Sequence, residues 1–226
     1  MTADASKPPA APSSLRLVLT LAIAGLVSGV AIIGIYEATL PTITANKARE
    51  LREAVFKVLP GVNRMQALVY RDGRMLAVPE PEKDEPVVYG GYDEQGDFVG
   101  YAMPGAGPGF QDTIALLYGY LPREKQVVGM EILESRETPG LGDKIYKDAE
   151  FVAEFSALAI EPEIVTVKKG TGSRPNHVDA ITGATISSKA VVRIINETHA
   201  AWTQHLPAPG TEPPLAGNAA DNGTRQ

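Results

Sequence analysis

The sequence predicts an α+β domain of mostly antiparallel strands behind one membrane-spanning helix. Three observations lead there. A charge-free apolar run occupies Leu17–Tyr36. Short β-like runs broken by turn residues follow between Ala67 and Leu133. Helical periodicity flanks them, without the regular strand–helix alternation of a parallel sheet.

The elements can be justified in order. Residues 1–14 are rich in Ala, Pro and Ser and predict a disordered tail. Residues 15–36 predict the membrane helix, because about 20 apolar residues cross a bilayer. The run is too long for the apolar core of a cleaved signal peptide, roughly 7–15 residues. Gly25 and Gly29 form a GxxxG, either a docking face for another membrane helix or ordinary membrane-helix glycine usage. Lys7 and Arg16 precede the span, and Glu37 is the sole charge in the ten residues after it. This pattern puts the N-terminus inside and the following domain outside.

Residues 37–60 predict a membrane-proximal helix. Thr44 is its candidate cap, Leu51, Ala54, Val55, Val58 and Leu59 form its stripe, and Pro60-Gly61 is its stop. The domain proper is expected over 61–205. Its strands are read at Ala67–Tyr70, Val87–Tyr92, Phe98–Ala102, Thr113–Tyr120, Gln126–Leu133 and Ile164–Lys168, with Pro104–Gly109 taken as a turn-rich joint. A helix is expected at Lys144–Ala157. Another is expected at Ser187–His205, striped by Val191, Ile194, Ile195, Thr198 and Trp202 and capped by Ser187 or Ser188. Residues 206–226 read as a disordered tail.

Composition narrows the function. The net charge of -6 argues against a sequence-independent nucleic-acid binder, and no nucleic-acid partner is expected. The absence of cysteine rules out a thiolate metal site, an iron–sulfur cluster or a thiol nucleophile within the chain. His177, His199 and His205 are scattered, and no metal site is expected. Redox chemistry would need an organic cofactor. No catalytic triad or carboxylate dyad with persuasive spacing is present, and neither a GxxxxGK[ST] nor a strand-following GxGxxG occurs.

Two stretches carry chemistry. Asp179-Ala-Ile-Thr-Gly-Ala-Thr-Ile-Ser-Ser188 sets Thr182, Gly183, Ala184, Ser187 and Ser188 around Thr185 at a helix start. Orphan N–H groups and the dipole suit a phosphate there, although an ordinary helix cap reads equally well. Asp179 is odd beside a phosphate, since a carboxylate repels it. Glu137-Thr-Pro-Gly-Leu-Gly142 is either a plain loop or a rigid turn that a flat ring can approach, with Leu141 over one face.

The first stretch resembles the flavinylation motif of bacterial FMN-binding domains, D-x-x-[ST]-G-A-T-x-x-[ST]. In that family a dedicated flavin transferase moves FMN from FAD to the last threonine of the GAT, which is Thr185 here. The run Glu137, Thr138, Gly140, Leu141 and Gly142 resembles the loop that the family places beside the isoalloxazine. Behind a single span, the two motifs resemble the G-subunit family of Rnf ion-translocating electron-transport complexes, over roughly residues 15–205. The C subunit of the sodium-translocating NADH:quinone oxidoreductase shares this plan and stands as the alternative.

The resemblance implies covalent FMN and an electron relay between ferredoxin and NAD within a multisubunit translocase. Its partners would be membrane subunits carrying flavin or iron–sulfur centres. It places the protein in the bacterial inner membrane with its domain on the outer face. Asp179 would then serve the transferase or shape the turn. Lys168 and Lys169 would favour the reduced flavin anion or be plain solvated lysines, and Glu137 would be a ring contact or a surface residue. A membrane-anchored binding or assembly module without redox turnover is the other class of function.

Overall fold

The computed structural model describes residues 13–82 and 84–216. The expected tails at 1–12 and 217–226 lie outside the described residues. The chain divides into two compact units between Ala48 and Arg49.

The first helix, α1, runs Ser14–Val58 with Pro41 inside it. It is long and apolar enough to cross a membrane. The break expected before a second helix is absent. Thr44 does not cap. Its hydroxyl donates to the Leu40 carbonyl one turn back, at 3.0 Å. Within the second unit, the last turns of α1 bury Ala54, Val55 and Val58 against Val62, Ala102 and Leu117.

Among the described residues, seven antiparallel strands form the main sheet. They are β1 (Arg64–Arg71), β2 (Arg74–Val78), β3 (Val87–Tyr92), β4 (Phe98–Pro108), β5 (Thr113–Leu121), β6 (Gln126–Glu134) and β7 (Leu158–Ala159). Their order is β2-β1-β3-β4-β5-β6-β7. Two further strands, β8 (Val165–Lys168) and β9 (His177–Ala180), pair in parallel as a separate ribbon. Strand alternation explains the layering. Ile114, Leu116, Tyr118 and Tyr120 of β5 face one core, whereas Leu117 faces the α1 side. The larger core is covered by the last helix, α4 (Thr185–Thr203), through Val191, Ile194, Ile195 and Trp202.

The expectation of a mostly antiparallel α+β domain therefore holds, with local corrections. Pro104–Gly109 is not simply a joint, because β4 continues through it, pairing Gly105 with Leu116 and Gly107 with Ile114. Glycine suits those positions because α4 lies close. A Cβ on Gly107 would fall 2.9 Å from the Ile194 side chain, and one on Gly105 would collide with Thr198. The helix expected at Lys144–Ala157 is broken into α2 (Lys144–Lys147), α3 (Ala149–Ala153) and one 3₁₀ turn at Glu154–Ser156. Asp148 is the cause. It is extended, and its carboxylate accepts from the Glu150 and Phe151 amides, starting a new helix. The strands β2, β7 and β9 were not expected.

The C-terminal tail also departs from expectation as far as Ala216. Tyr92 Oη donates to the Pro213 carbonyl at 2.6 Å, and Gln66 Nε2 donates to the Pro214 carbonyl at 3.0 Å. The Ala216 amide donates back to Gln66 Oε1 at 2.8 Å, and Leu215 is buried. A Pro-rich composition does not prevent packing when fixed carbonyls meet ready donors. Leu215→Ala should lower the unfolding free energy of the detergent-solubilised protein by about 2 kcal/mol, measured by chemical denaturation. An unchanged denaturation midpoint would show the strap to be dispensable.

Candidate functional site

The two motifs meet at one cavity. Gly183 adopts φ +85° and turns the chain from β9 into α4. Only glycine enters that region freely. The helix then starts at Thr185, two residues earlier than expected, with Ala184 at its cap and no side-chain capping bond. Ser187 and Ser188 therefore do not cap. Ser188 is fully buried, donating to the Ala184 carbonyl at 3.0 Å and accepting from the Ile181 amide at 3.1 Å. These bonds fix the turn from inside. The Thr185 hydroxyl reaches the Ile181 carbonyl at 3.5 Å, beyond ordinary hydrogen-bond distance. Thr185 is exposed and chemically accessible.

The Glu137–Gly142 loop supplies the facing wall. The Leu141 amide donates to the Thr138 carbonyl at 3.1 Å, and Gly140 takes φ +78°. The Thr138 hydroxyl donates to Gln111 Oε1 at 2.8 Å. The cavity measures about 350 Å³ and is lined by Phe110, Thr138, Leu141, Gly142, Gly183, Ala184, Thr185, Ile186 and Ser187. Three of these, Phe110, Leu141 and Ile186, are large apolar side chains left at least half exposed. Apolar groups at the rim and hydroxyls around Thr185 suit a flat ring with an anionic tail. The volume lies in the range of small-molecule sites, roughly 300–1,000 Å³.

The residues singled out by the motifs thus separate. Thr138, Leu141, Gly142, Gly183, Ala184, Thr185 and Ser187 come together at the cavity. Glu137, Gly140, Thr182, Ser188 and Lys168 stand outside its lining. Lys168 is exposed at the end of β8, and Lys169 pairs with Glu150 at 3.2 Å. Phe110 and Ile186 were missed. Ile186 is an apolar residue on the exposed side of a helix start, a signal in itself. Phe110 becomes visible only once the β4–β5 pairing is known.

Asp179 shapes a turn. Its carboxylate accepts from the Gly170 amide at 2.5 Å and the Gly172 amide at 3.0 Å, so its charge is engaged by the 169–173 loop. Its own amide donates to Glu154 Oε2 at 2.6 Å. Burial, opposed by that bond, holds the Glu154 carboxyl above its usual range.

Glu137 is neither a surface residue nor a member of the lining. It is buried, and Oε2 accepts from the Ser187 hydroxyl at 2.6 Å. Oε1 accepts from the amides of Phe110 and Gln111 at 2.8 and 3.0 Å. Burial pushes its pKa up, but the bonds from Ser187, Gln111, Phe110 and Asp112 outweigh this and leave it below the ordinary carboxylate value. The folded-state pKa lies below the unfolded one. The stabilisation is therefore fully present above about 4.5, the ordinary value, and is lost as pH falls through the depressed folded value. The stability gap between wild type and Glu137→Gln should accordingly be largest near neutrality and shrink below that pH. Urea unfolding at pH 7 and pH 3 measures it; a gap that widens in acid contradicts the assignment.

A family model described as the FMN-binding domain matches residues 109–200, a stretch that contains every residue lining the cavity. The chain is 29% identical to the G subunit of the ion-translocating oxidoreductase complex of Methanosarcina acetivorans, covering 78% of this chain and 88% of that one. It is 30% identical to the Escherichia coli protein of the same name, covering 78% and 84%. It is 32% identical to the G subunit of the Na(+)-translocating ferredoxin:NAD(+) oxidoreductase complex of Acetobacterium woodii, covering 62% and 68%. Among solved structures, NqrC of Shewanella oneidensis superposes with a TM-score of 0.52 at 19% identity, over 67% of this chain and 91% of that one. That likeness is one of fold.

Proposed function

The chain belongs to the G-subunit family of ion-translocating oxidoreductase complexes, and from that premise we propose how its cavity serves an FMN electron relay. The protein is a membrane-complex subunit with an FMN-binding domain, anchored by the apolar part of α1. It relays electrons within a ferredoxin:NAD oxidoreductase complex whose other subunits are its partners. Convergence of Thr185 and the Glu137–Gly142 loop on one cavity carries the reading.

Each residue has a physical task. Thr185 provides the hydroxyl for a phosphoester. In that step its oxygen bonds the FMN phosphorus of FAD, the pyrophosphate bond breaks, AMP leaves, and the hydroxyl proton is released. A flavin transferase supplies the catalysis. The uncapped first turn of α4 offers N–H groups and the positive dipole end to the remaining phosphate charge. Phe110, Leu141 and Ile186 would cover a ring, and the Thr138 hydroxyl would offer a polar contact, while the Ser187 hydroxyl is engaged by Glu137. Bound FMN supplies one- and two-electron redox chemistry, which needs no acid, base or nucleophile from the protein. An ester also makes the carrier independent of free FMN, which matters if the domain faces the outside of the inner membrane, as the charges flanking the span suggest.

The fold is shared with NqrC, so the alternative assignment to a quinone oxidoreductase is weighed by sequence, and the relatives above favour the G-subunit family. Co-expression with a flavin transferase tests the chemistry. The intact mass should rise by one FMN minus one water, and Thr185→Val should abolish the increment. An unmodified wild type under those conditions would instead support a binding module without a covalent flavin.

A further inference from the structure

We propose that Glu137 is the positioning residue of the flavin site, a role that rests on the FMN reading above. Its carboxylate holds three cavity-lining segments in register without touching the ring. The segments are remote in sequence: the β4–β5 loop at Phe110, the Leu141–Gly142 loop, and the first turn of α4 at Ser187. One carboxylate touches all three. Oε1 accepts from Phe110 and Gln111 at 2.8 and 3.0 Å, and Oε2 accepts from Ser187 at 2.6 Å. Gly142 packs so closely that a Cβ there would lie 2.5 Å from Oε2.

The manner of charge stabilisation supports positioning over simple burial. The neighbouring Arg136 turns to Asp112 and Glu134, at 3.7 and 3.8 Å. Glu137 is satisfied instead by directional donors. An ion pair would neutralise the charge from many angles, whereas backbone amides of the β4–β5 loop and one hydroxyl fix the geometry. Because Glu137 is 6% exposed and its bond to Ser187 is buried, losing its acceptor atoms would strand the Ser187 hydroxyl and release the Phe110 and Gln111 amides. The walls would then relax independently.

The test uses the full-length protein in detergent, as wild type, Glu137→Ala, Glu137→Gln and Ser187→Ala. Protein made without the transferase reports amide exchange at Phe110 and Gln111. Protein made with it reports the flavin mass increment and the visible circular dichroism of the flavin. Glu137→Ala should exchange those amides about tenfold faster and reduce the flavin dichroism toward that of free FMN. Glu137→Gln keeps an oxygen for the two amides and can donate from its nitrogen to Ser187 Oγ, so it should restore the dichroism. Ser187→Ala severs the α4 tether alone and should weaken the dichroism while lowering the thermal midpoint less than Glu137→Ala does. Native dichroism in Glu137→Ala, or a Glu137→Gln as defective as Glu137→Ala, overturns the proposal. If Glu137→Ala does not fold, native dichroism in Ser187→Ala overturns it. A wild type that gains no flavin mass overturns the FMN reading instead, while amide exchange still reports whether Glu137 clamps the walls.

Discussion

A carboxylate removed from water must find donors, and Glu137 finds them on segments separated by more than seventy positions of chain, from Phe110 to Ser187. That requirement organises the functional end of the molecule. The antiparallel sheet supplies a rigid floor, and the glycines at the end of β4 let α4 lie across it closely. The start of α4 is thereby brought over the β4–β5 loop. What remains is to lock the loops, and hydrogen bonds to one buried anion accomplish it. A buried polar centre of this kind rigidifies only when each acceptor is used, which is the case for both Glu137 oxygens.

The division of labour between the sheet's two faces follows from strand alternation. One face of β5 meets α4 and the cavity side, and the other meets the end of α1 through Leu117. The residues that fasten the domain to the last turns of α1 are thus different from those that build the site.

Much of this was legible in the sequence, for identifiable reasons. Strands with alternating apolar residues, such as Thr113–Tyr120, announce themselves by period, and so does the stripe of α4. The residues around Thr185 stood out because their order resembles a flavinylation motif; their small and hydroxyl side chains alone read equally well as a helix cap. Other features depend on tertiary contacts. The strand character of Pro104–Gly109 arises from a helix packed above it, which local composition cannot reveal. The interruption at Asp148 is a side-chain choice between continuing one helix and capping another. Glu137 reads in sequence as a ring contact or a surface residue, not as a buried clamp, and Phe110 carries no signal of its own. Both gain their place only when three remote segments come together.

The strap at the end of the described chain has a topological consequence. Gln66 lies in the first strand of the domain, and Pro214 and Ala216, its partners, lie in the last described segment. The domain therefore closes on itself as a loop of chain whose beginning and end are side by side. Release of the strap would leave the Gln66 side-chain amide and the Tyr92 hydroxyl without these partners, while β1 itself stays hydrogen-bonded to β2 and β3. The strap is therefore a local unit that opens at a lower threshold than the strand it rests on, even though it joins the two ends of the domain.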